Sequence, residues 1–186
     1  HGNHPHRSKG ACMETWDAIR TRRNVRRFAD RPIADADVDR IVAAAALAPS
    51  SMNEQRWDFV VCRDRARLEE LSNAGPYAGH VAAAAAAIAF VAPRPADVEE
   101  RESIAFDLGQ AVENAMVAAW DLGIGSCHAS VYEQDRMRAL LGYPEDSACD
   151  LIVSFGYPAN ATMAPPGSRG GRKPIASVRH DERFRA

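Results

Sequence analysis

Long apolar runs, an excess of positive charge and paired cysteines are all missing from this 186-residue sequence, and each absence closes off a class of protein. The most apolar stretch, Val81 to Ala92, is mostly alanine and falls short of the ~20 residues a bilayer-spanning helix requires, so no membrane segment is expected. Lys and Arg number 23 against 25 Asp and Glu. The resulting formal charge of −2, with scattered aromatics, argues against a nucleic-acid binder. The four cysteines, Cys12, Cys62, Cys127 and Cys149, lie far apart and include no Cys-x-x-Cys pair. Neither a zinc site nor a disulfide framework is suggested, and reduced thiols in a cytoplasmic protein fit best. There are no internal repeats, and no His/Asp or paired-carboxylate constellation marks acid–base catalysis.

What is present is an ordinary globular composition, 46% hydrophobic, in a chain long enough for one well-buried domain and too short for two. Residues 1–12 carry no apolar periodicity and read as a disordered terminal arm. His4 and His6 offer only a poor metal site there, and no metal is expected. Residues 13–186 form the single domain. Met13, Trp16 and Ile19 give a first helix ending near Arg22. Asp35 opens a second, with Val38, Ile41, Val42, Ala45 and Leu47 as its apolar stripe. Trp57 to Cys62 reads as a buried strand, Arg65 to Ser72 as a short helix, and Ile88 to Val91 as a strand. Ala82 to Ala87 is ambiguous between helix and strand. Glu99 to Leu122 is the longest helix, and Gly109 inside it costs about 1 kcal/mol relative to alanine, which close approach of another helix would explain. Ile124 to Ala129 and Leu151 to Phe155 are strands, and Gln134 to Leu141 is a helix closed by Gly142. Short strands scattered among helices favour α+β with three-layer packing.

Five arginines, Arg20, Arg22, Arg23, Arg26 and Arg27, fall within eight residues just after the first helix. Guanidinium groups match phosphate and carboxylate oxygens, so such a cluster is either an anion site or a solvated turn balanced by Asp17, Asp30, Asp35 and Asp37. Past the second helix, Pro49, Ser50, Ser51 and Asn53 place backbone groups and short polar side chains where a ligand can reach them, or simply stop the helix. Beyond Pro158 the tail is rich in Gly and Pro, then basic at Arg169, Arg172 and Lys173.

Four segments taken in order resemble the FMN-dependent nitroreductase family. Arg22-Arg23-Asn24-Val25-Arg26-Arg27-Phe28 is similar to its Arg-Arg-Ser-x-Arg-x-Phe opening, and Ala48-Pro49-Ser50-Ser51-Met52-Asn53-Glu54-Gln55-Arg56-Trp57 to its Ala-Pro-Ser-x-x-Asn-x-Gln-Pro-Trp loop. Asp107-Leu108-Gly109-Gln110, with Asn114 and Leu122 to Cys127, resembles the central helix and following strand, and Arg172-Lys173-Pro174 the closing basic motif. The resemblance implies a three-layer α/β/α fold with a mixed, mainly antiparallel sheet and a long central helix at a homodimer interface, residues 158–186 wrapping the partner subunit. It implies FMN as cofactor and NADH or NADPH as co-substrate, with hydride passing to a nitroaromatic, a quinone or a related acceptor. Arg22, Arg23 and Asn24 would then hold the phosphate and ribityl chain, completed by Arg172 and Lys173. Arg26 would face the pyrimidine edge of the ring, and the backbone of His128, Ala129 and Ser130 would run beside it. Pro49, Ser50, Ser51 and Asn53 would reach the flavin of the other subunit, anchored by Gln55 and Trp57. Asn73 to His80 should supply a further pyrimidine contact. Arg56 stands where proline is usual, implying a less rigid loop, and the excursion between Val91 and Ile104 is short, implying an open pocket. Relatives that consume reduced flavin or oxidise azoline rings, and a non-catalytic flavin-sequestering role, are the alternatives.

Overall fold

The computed structural model describes residues 13–160 and 171–184. Helix α1 (Thr15–Thr21) leads through an extended segment to α2 (Asp35–Ala46), a 3-10 turn Ser51–Asn53 and strand β1 (Asp58–Cys62). Then come α3 (Arg65–Leu71), a second 3-10 turn Gly79–Ala83, β2 (Ala86–Pro93) and the long α4 (Val98–Asp121). Strand β3 (Gly125–Ser130), α5 (Gln134–Leu141), β4 (Ser147–Gly156) and a 3-10 turn Ile175–Ser177 complete the order. No helix among the described residues is long and apolar enough to cross a membrane. They include no disulfide and no metal-binding cluster. The arm with His4 and His6, and Arg169 in the tail, lie outside the described residues.

The four strands form one sheet in the order β1-β2-β4-β3, and every neighbouring pair is antiparallel. The parallel component expected of a mixed sheet is confined to an isolated bridge, Asn24 to Ser126. Both faces are covered. Because side chains alternate along a strand, Ile88, Phe90 and Ala92 of β2 join Ile41, Ala45, Met116 and Ala119 under α2 and α4. Ala87, Ala89 and Val91 meet Leu68, Leu71 and Met137 under α3 and α5. That arrangement is the α/β/α sandwich, with each large side chain in it contributing about 1.5–3 kcal/mol of burial.

Local chemistry explains most of the boundaries. Asp64 and Asp97 cap α3 and α4 by accepting from the N–H groups of Arg67 (3.0 Å) and Glu100 (2.8 Å). Gly142 ends α5 in the left-handed conformation, φ 75°. The ambiguous alanine run resolves into a 3-10 turn followed by strand.

Two expectations need correction. Trp57 to Cys62 is a strand but not a buried one, because β1 is the sheet edge and Asp58 and Val61 face solvent. Leu47 leaves the apolar stripe, since α2 stops at Ala46 and the residue is 81% exposed. Among the described residues nothing lies within 4 Å of a Cβ placed on Gly109, which leaves that helix face open to a second chain.

Candidate functional site

The arginine segment is built onto the sheet by main-chain pairing. Val25 N–H donates to Ser126 O at 2.9 Å, Ala29 N–H to Tyr157 O at 2.8 Å, and Ala159 N–H to Arg27 O at 3.0 Å. Residues 24–29 thus run as a short extra ribbon past the ends of β3 and β4. Two glycines make room for it: a Cβ on Gly125 would sit 2.6 Å from Val25 Cβ, and one on Gly156 2.7 Å from the Phe28 ring. The Arg31 guanidinium stacks on the Tyr157 ring at 3.6 Å and fixes the far end.

This docking distributes the cations unequally. Arg22 Nε donates to Glu113 of α4 at 3.0 Å and its Nη1 to Asn24 Oδ1 at 3.2 Å. Arg23 folds back to donate to the carbonyls of Arg20 and Arg22. Of the four aspartates considered as balancing charges, Asp17 pairs with Arg20 at the start of the cluster, and Asp35 pairs with Arg63, outside it. Arg26 forms one wall of a cleft of about 490 Å³, within the size range of cofactor sites. Its other walls are Pro76, Tyr77, Gly79 and His80 on one side and His128, Ala129 and Ser130 at the end of β3 on the other.

His80 is the polar anchor of that cleft. Its Nδ1 lies 2.8 Å from Ser154 Oγ, which in turn donates to Cys127 O at 3.2 Å. Nε2 is buried and has no hydrogen-bond partner among the described residues. Burial pushes the His80 pKa down, and the neighbouring Arg26 and His128 lower it further against a raising contribution from the His128 backbone. Burial also raises the Cys127 thiol, with Arg26 and Arg22 acting in the opposite direction, as suits a core residue and not a nucleophile. His128 is an exposed strand residue.

The loop after α2 is secured differently. Ser51 N–H donates to both carboxylate oxygens of Asp107 at 3.1 Å, and Gln110 Nε2 to Pro49 O at 3.3 Å. Trp57 packs against the α2/α4 core and stacks on Phe59 with ring centroids 6.3 Å apart. Gln55 donates from its side chain to Asn53 and from its N–H to Ser50 Oγ. Arg56, which stands where the resemblance would place proline, is an ionic hub facing Glu54, Glu100 and Asp107.

Of the expected site residues, Arg26, His128, Ala129 and Ser130 line the cleft, Asn24 begins the ribbon, and Arg22 and Arg23 immediately precede it at the end of α1. Pro49, Ser50, Ser51 and Asn53 sit against α4 and do not line it, and neither do Arg172 and Lys173, which are exposed. Sequence reasoning pointed to the stretch Asn73 to His80 without choosing His80. It missed Glu113, Asp107, Gly125 and Gly156 as supports. The signal for Asp107 was available: a carboxylate between Ile104 and Leu108 on an apolar helix face.

A model of the nitroreductase family matches residues 19–76 and 69–157. A protein of Archaeoglobus fulgidus provisionally named an NADH dehydrogenase/NAD(P)H nitroreductase is 42% identical over 149 residues, covering 78% of this chain and 86% of that protein. The solved NADPH:FMN oxidoreductase of Vibrio harveyi complexed with NAD+ is similar with a TM-score of 0.79 at 25% identity, over 92% of this chain and 78% of the other. An FMN-dependent nitroreductase of Clostridium difficile aligns with a TM-score of 0.78 at 24% identity, over 91% and 99%.

Proposed function

Since the chain belongs to the nitroreductase family, we propose that it is an FMN-dependent NAD(P)H oxidoreductase working as a cytoplasmic homodimer. Hydride would pass from NADH or NADPH through the flavin to a nitroaromatic, a quinone or a related acceptor. The observation that carries this reading is the ribbon of residues 24–29, which turns one arginine into the cleft wall and leaves others at its approach. The cleft suits the group. It has the volume for a planar ring system, a cation on one wall, and the buried, unpartnered Nε2 of His80 beside it.

Arg22, Arg23 and Asn24 are assigned to the phosphate and ribityl chain, where fixed cations match about two negative charges. Glu113 orients Arg22, and its single carboxylate leaves the cluster net positive. Arg26 faces the pyrimidine edge, where a permanent cation favours negative charge arriving on the ligand. The backbone of His128, Ala129 and Ser130 orients the ring. Pro49, Ser50, Ser51 and Asn53, together with Arg172 and Lys173, are assigned to a site shared across the dimer, which accounts for their absence from the cleft of their own chain. The redox chemistry is what bound FMN supplies. The protein binds, orients and excludes water, and no side chain is assigned a proton transfer.

A dimer also covers what one chain leaves bare. Trp16, Ile19, Leu47, Met52, Phe106 and Ile175 are all more than half exposed. An interface between two copies would take such side chains out of water. Phe106→Glu should therefore dissociate the dimer in sedimentation velocity, whereas on a free surface it would be neutral.

The decisive test is spectroscopic. Purified protein should show flavin absorbance bands or acquire them on titration with FMN, and NADH or NADPH should bleach them in stopped flow. A colourless protein that ignores excess FMN rules the proposal out. One observation favours a second reading: only Arg94–Asp97 connects β2 to α4, so no inserted helices cover the cleft. Flavin taken up but bleached by neither nicotinamide cofactor would move the assignment to a flavin-consuming or azoline-oxidising relative. Tight flavin with no turnover of any acceptor would indicate a sequestering protein.

A further inference from the structure

Between Ser51 and Gln55, three residues other than glycine hold positive φ: Met52 at 49°, Asn53 at 58° and Gln55 at 51°. An L side chain there crowds its own backbone, and only asparagine tolerates the region readily. A run of such residues persists only where its surroundings over-determine it.

The surroundings here are ionic. Asp107, its side chain 4% exposed, takes the Ser51 N–H on both oxygens at 3.1 Å. Arg56 closes the loop from its other end. Its Nη2 donates to Ser103 Oγ at 2.7 Å and lies 3.7 Å from Asp107 Oδ2. Its Nη1 is 3.4 Å from Glu100, and its Nε is 3.0 Å from Glu54 without hydrogen-bond alignment. The guanidinium is only 17% exposed, so water screens these attractions weakly. One forked cation thus ties a loop residue to three positions on one helix, while Asp107 ties the loop's start to the same helix.

We propose that Arg56 and Asp107 are positioning residues, a clamp that holds Ser50–Asn53 in its strained shape before any ligand arrives. A binding loop ordered by the fold spares the ligand the entropy of ordering it, and affinity rises accordingly. The role rests on the flavin reading above. Two alternatives at position 56 fail on physical grounds. A proline would drive residue 55 toward extended backbone, against its φ of 51°. A lysine is a point charge that cannot fork to several partners.

The test compares wild type with Arg56→Gln, Asp107→Asn and Arg56→Lys on the full chain, by amide hydrogen exchange without ligand and by fluorescence titration with FMN. In the Gln and Asn variants the Ser51 and Gln55 amides should exchange roughly tenfold faster or more, while β2 and β4 stay unchanged. The Kd for FMN should rise about tenfold, and Arg56→Lys should recover part of both effects. Unchanged loop exchange overturns the clamp, and faster exchange with wild-type FMN affinity overturns its positioning role. If Arg56→Gln does not fold, Glu100→Gln removes one arm of the same hub and carries the comparison. Failure of the flavin reading itself is recognisable separately, because wild type would then already bind no FMN.

Discussion

The two segments that frame the candidate site are held to the fold by opposite means. Residues 24–29 are stitched by main-chain hydrogen bonds to Ser126, Tyr157 and Ala159, and seated in notches left by Gly125 and Gly156. Val25 and Phe28 fill those notches, while Arg26 and Arg27 stay exposed and can face a ligand. Residues 49–57 are held largely by side chains, through Asp107, Gln110 and Arg56, and they accept backbone strain in return. The comparison teaches where each segment is vulnerable. The ribbon's exposed arginines are not needed to seat it, whereas an added atom beneath Val25 or Phe28 would lift it. The loop behaves the other way round.

The largest expected effect reverses a charge just before the ribbon and spares the ribbon's fold. Arg22→Glu places a carboxylate against Glu113 and reverses the charge at the assigned phosphate position. FMN affinity should fall by 10²–10³-fold, about 3–4 kcal/mol, in a fluorescence titration. Arg20→Glu is the control, because Arg20 pairs with Asp17 on exposed α1 and should change affinity less than about threefold. Equal losses in both variants would mean that a diffuse field, and not a built site, attracts the ligand.

A second substitution attacks the ribbon from below. Gly156→Ala would set a Cβ 2.7 Å from Phe28 Cδ1 and 3.0 Å from Phe28 Cβ. The phenylalanine cannot swing away from its own Cβ, so the ribbon must lift. Overpacking of this kind costs about 1–3 kcal/mol, readable as a lower midpoint in urea. FMN binding should weaken alongside it. An unaffected midpoint would show that the ribbon is loosely seated.

A smaller effect sharpens the contrast through pH. His80, beside Arg26 at the cleft, has a folded pKa below its unfolded value of ~6.5. Below that unfolded value the denatured chain binds the extra proton and the folded chain resists it. Stability is therefore full above ~pH 6.5 and is lost as pH falls through the folded pKa. His80→Gln should flatten this limb of the thermal-stability profile between pH 7 and 5. A profile unchanged by the substitution would remove His80 as its origin.

Much of this architecture was legible in the residues, for local reasons. Gln134–Leu141 and its Gly142 cap announce themselves because a left-handed terminus favours glycine, and β2 is signalled by β-branched and aromatic residues running up to Pro93. What a single segment could not report is its neighbours. Strand β1 has the composition of an interior strand but lies at the sheet edge, since nothing within five residues says whether a further strand exists. Leu47 continues the periodicity of α2 one residue past the point where the helix stops. At the site, the arginine ribbon was visible as a cluster of charge. The hub joining Arg56 to Asp107 spans 51 positions and left only the oddity of an acid on an apolar helix face.

The smallest expected effect belongs to the loop. Met52 is 90% exposed at the tip and adopts φ 49°. A glycine there removes the Cβ crowding, about 1–2 kcal/mol in a left-handed residue, but adds about 0.5–1 kcal/mol of unfolded-state entropy. Met52→Gly should thus stabilise one chain by about 0.5 kcal/mol net in a urea titration of dilute protein. In the proposed dimer the same side chain is part of the apolar surface presented to the partner, so its removal should lower the association constant measured by sedimentation. The two readouts move in opposite directions only if the strain at Met52 is held for an intermolecular purpose. Were stability and association both to rise, the loop's conformation would be a local accident of packing on α4, and the contrast with the ribbon would reduce to a difference in burial.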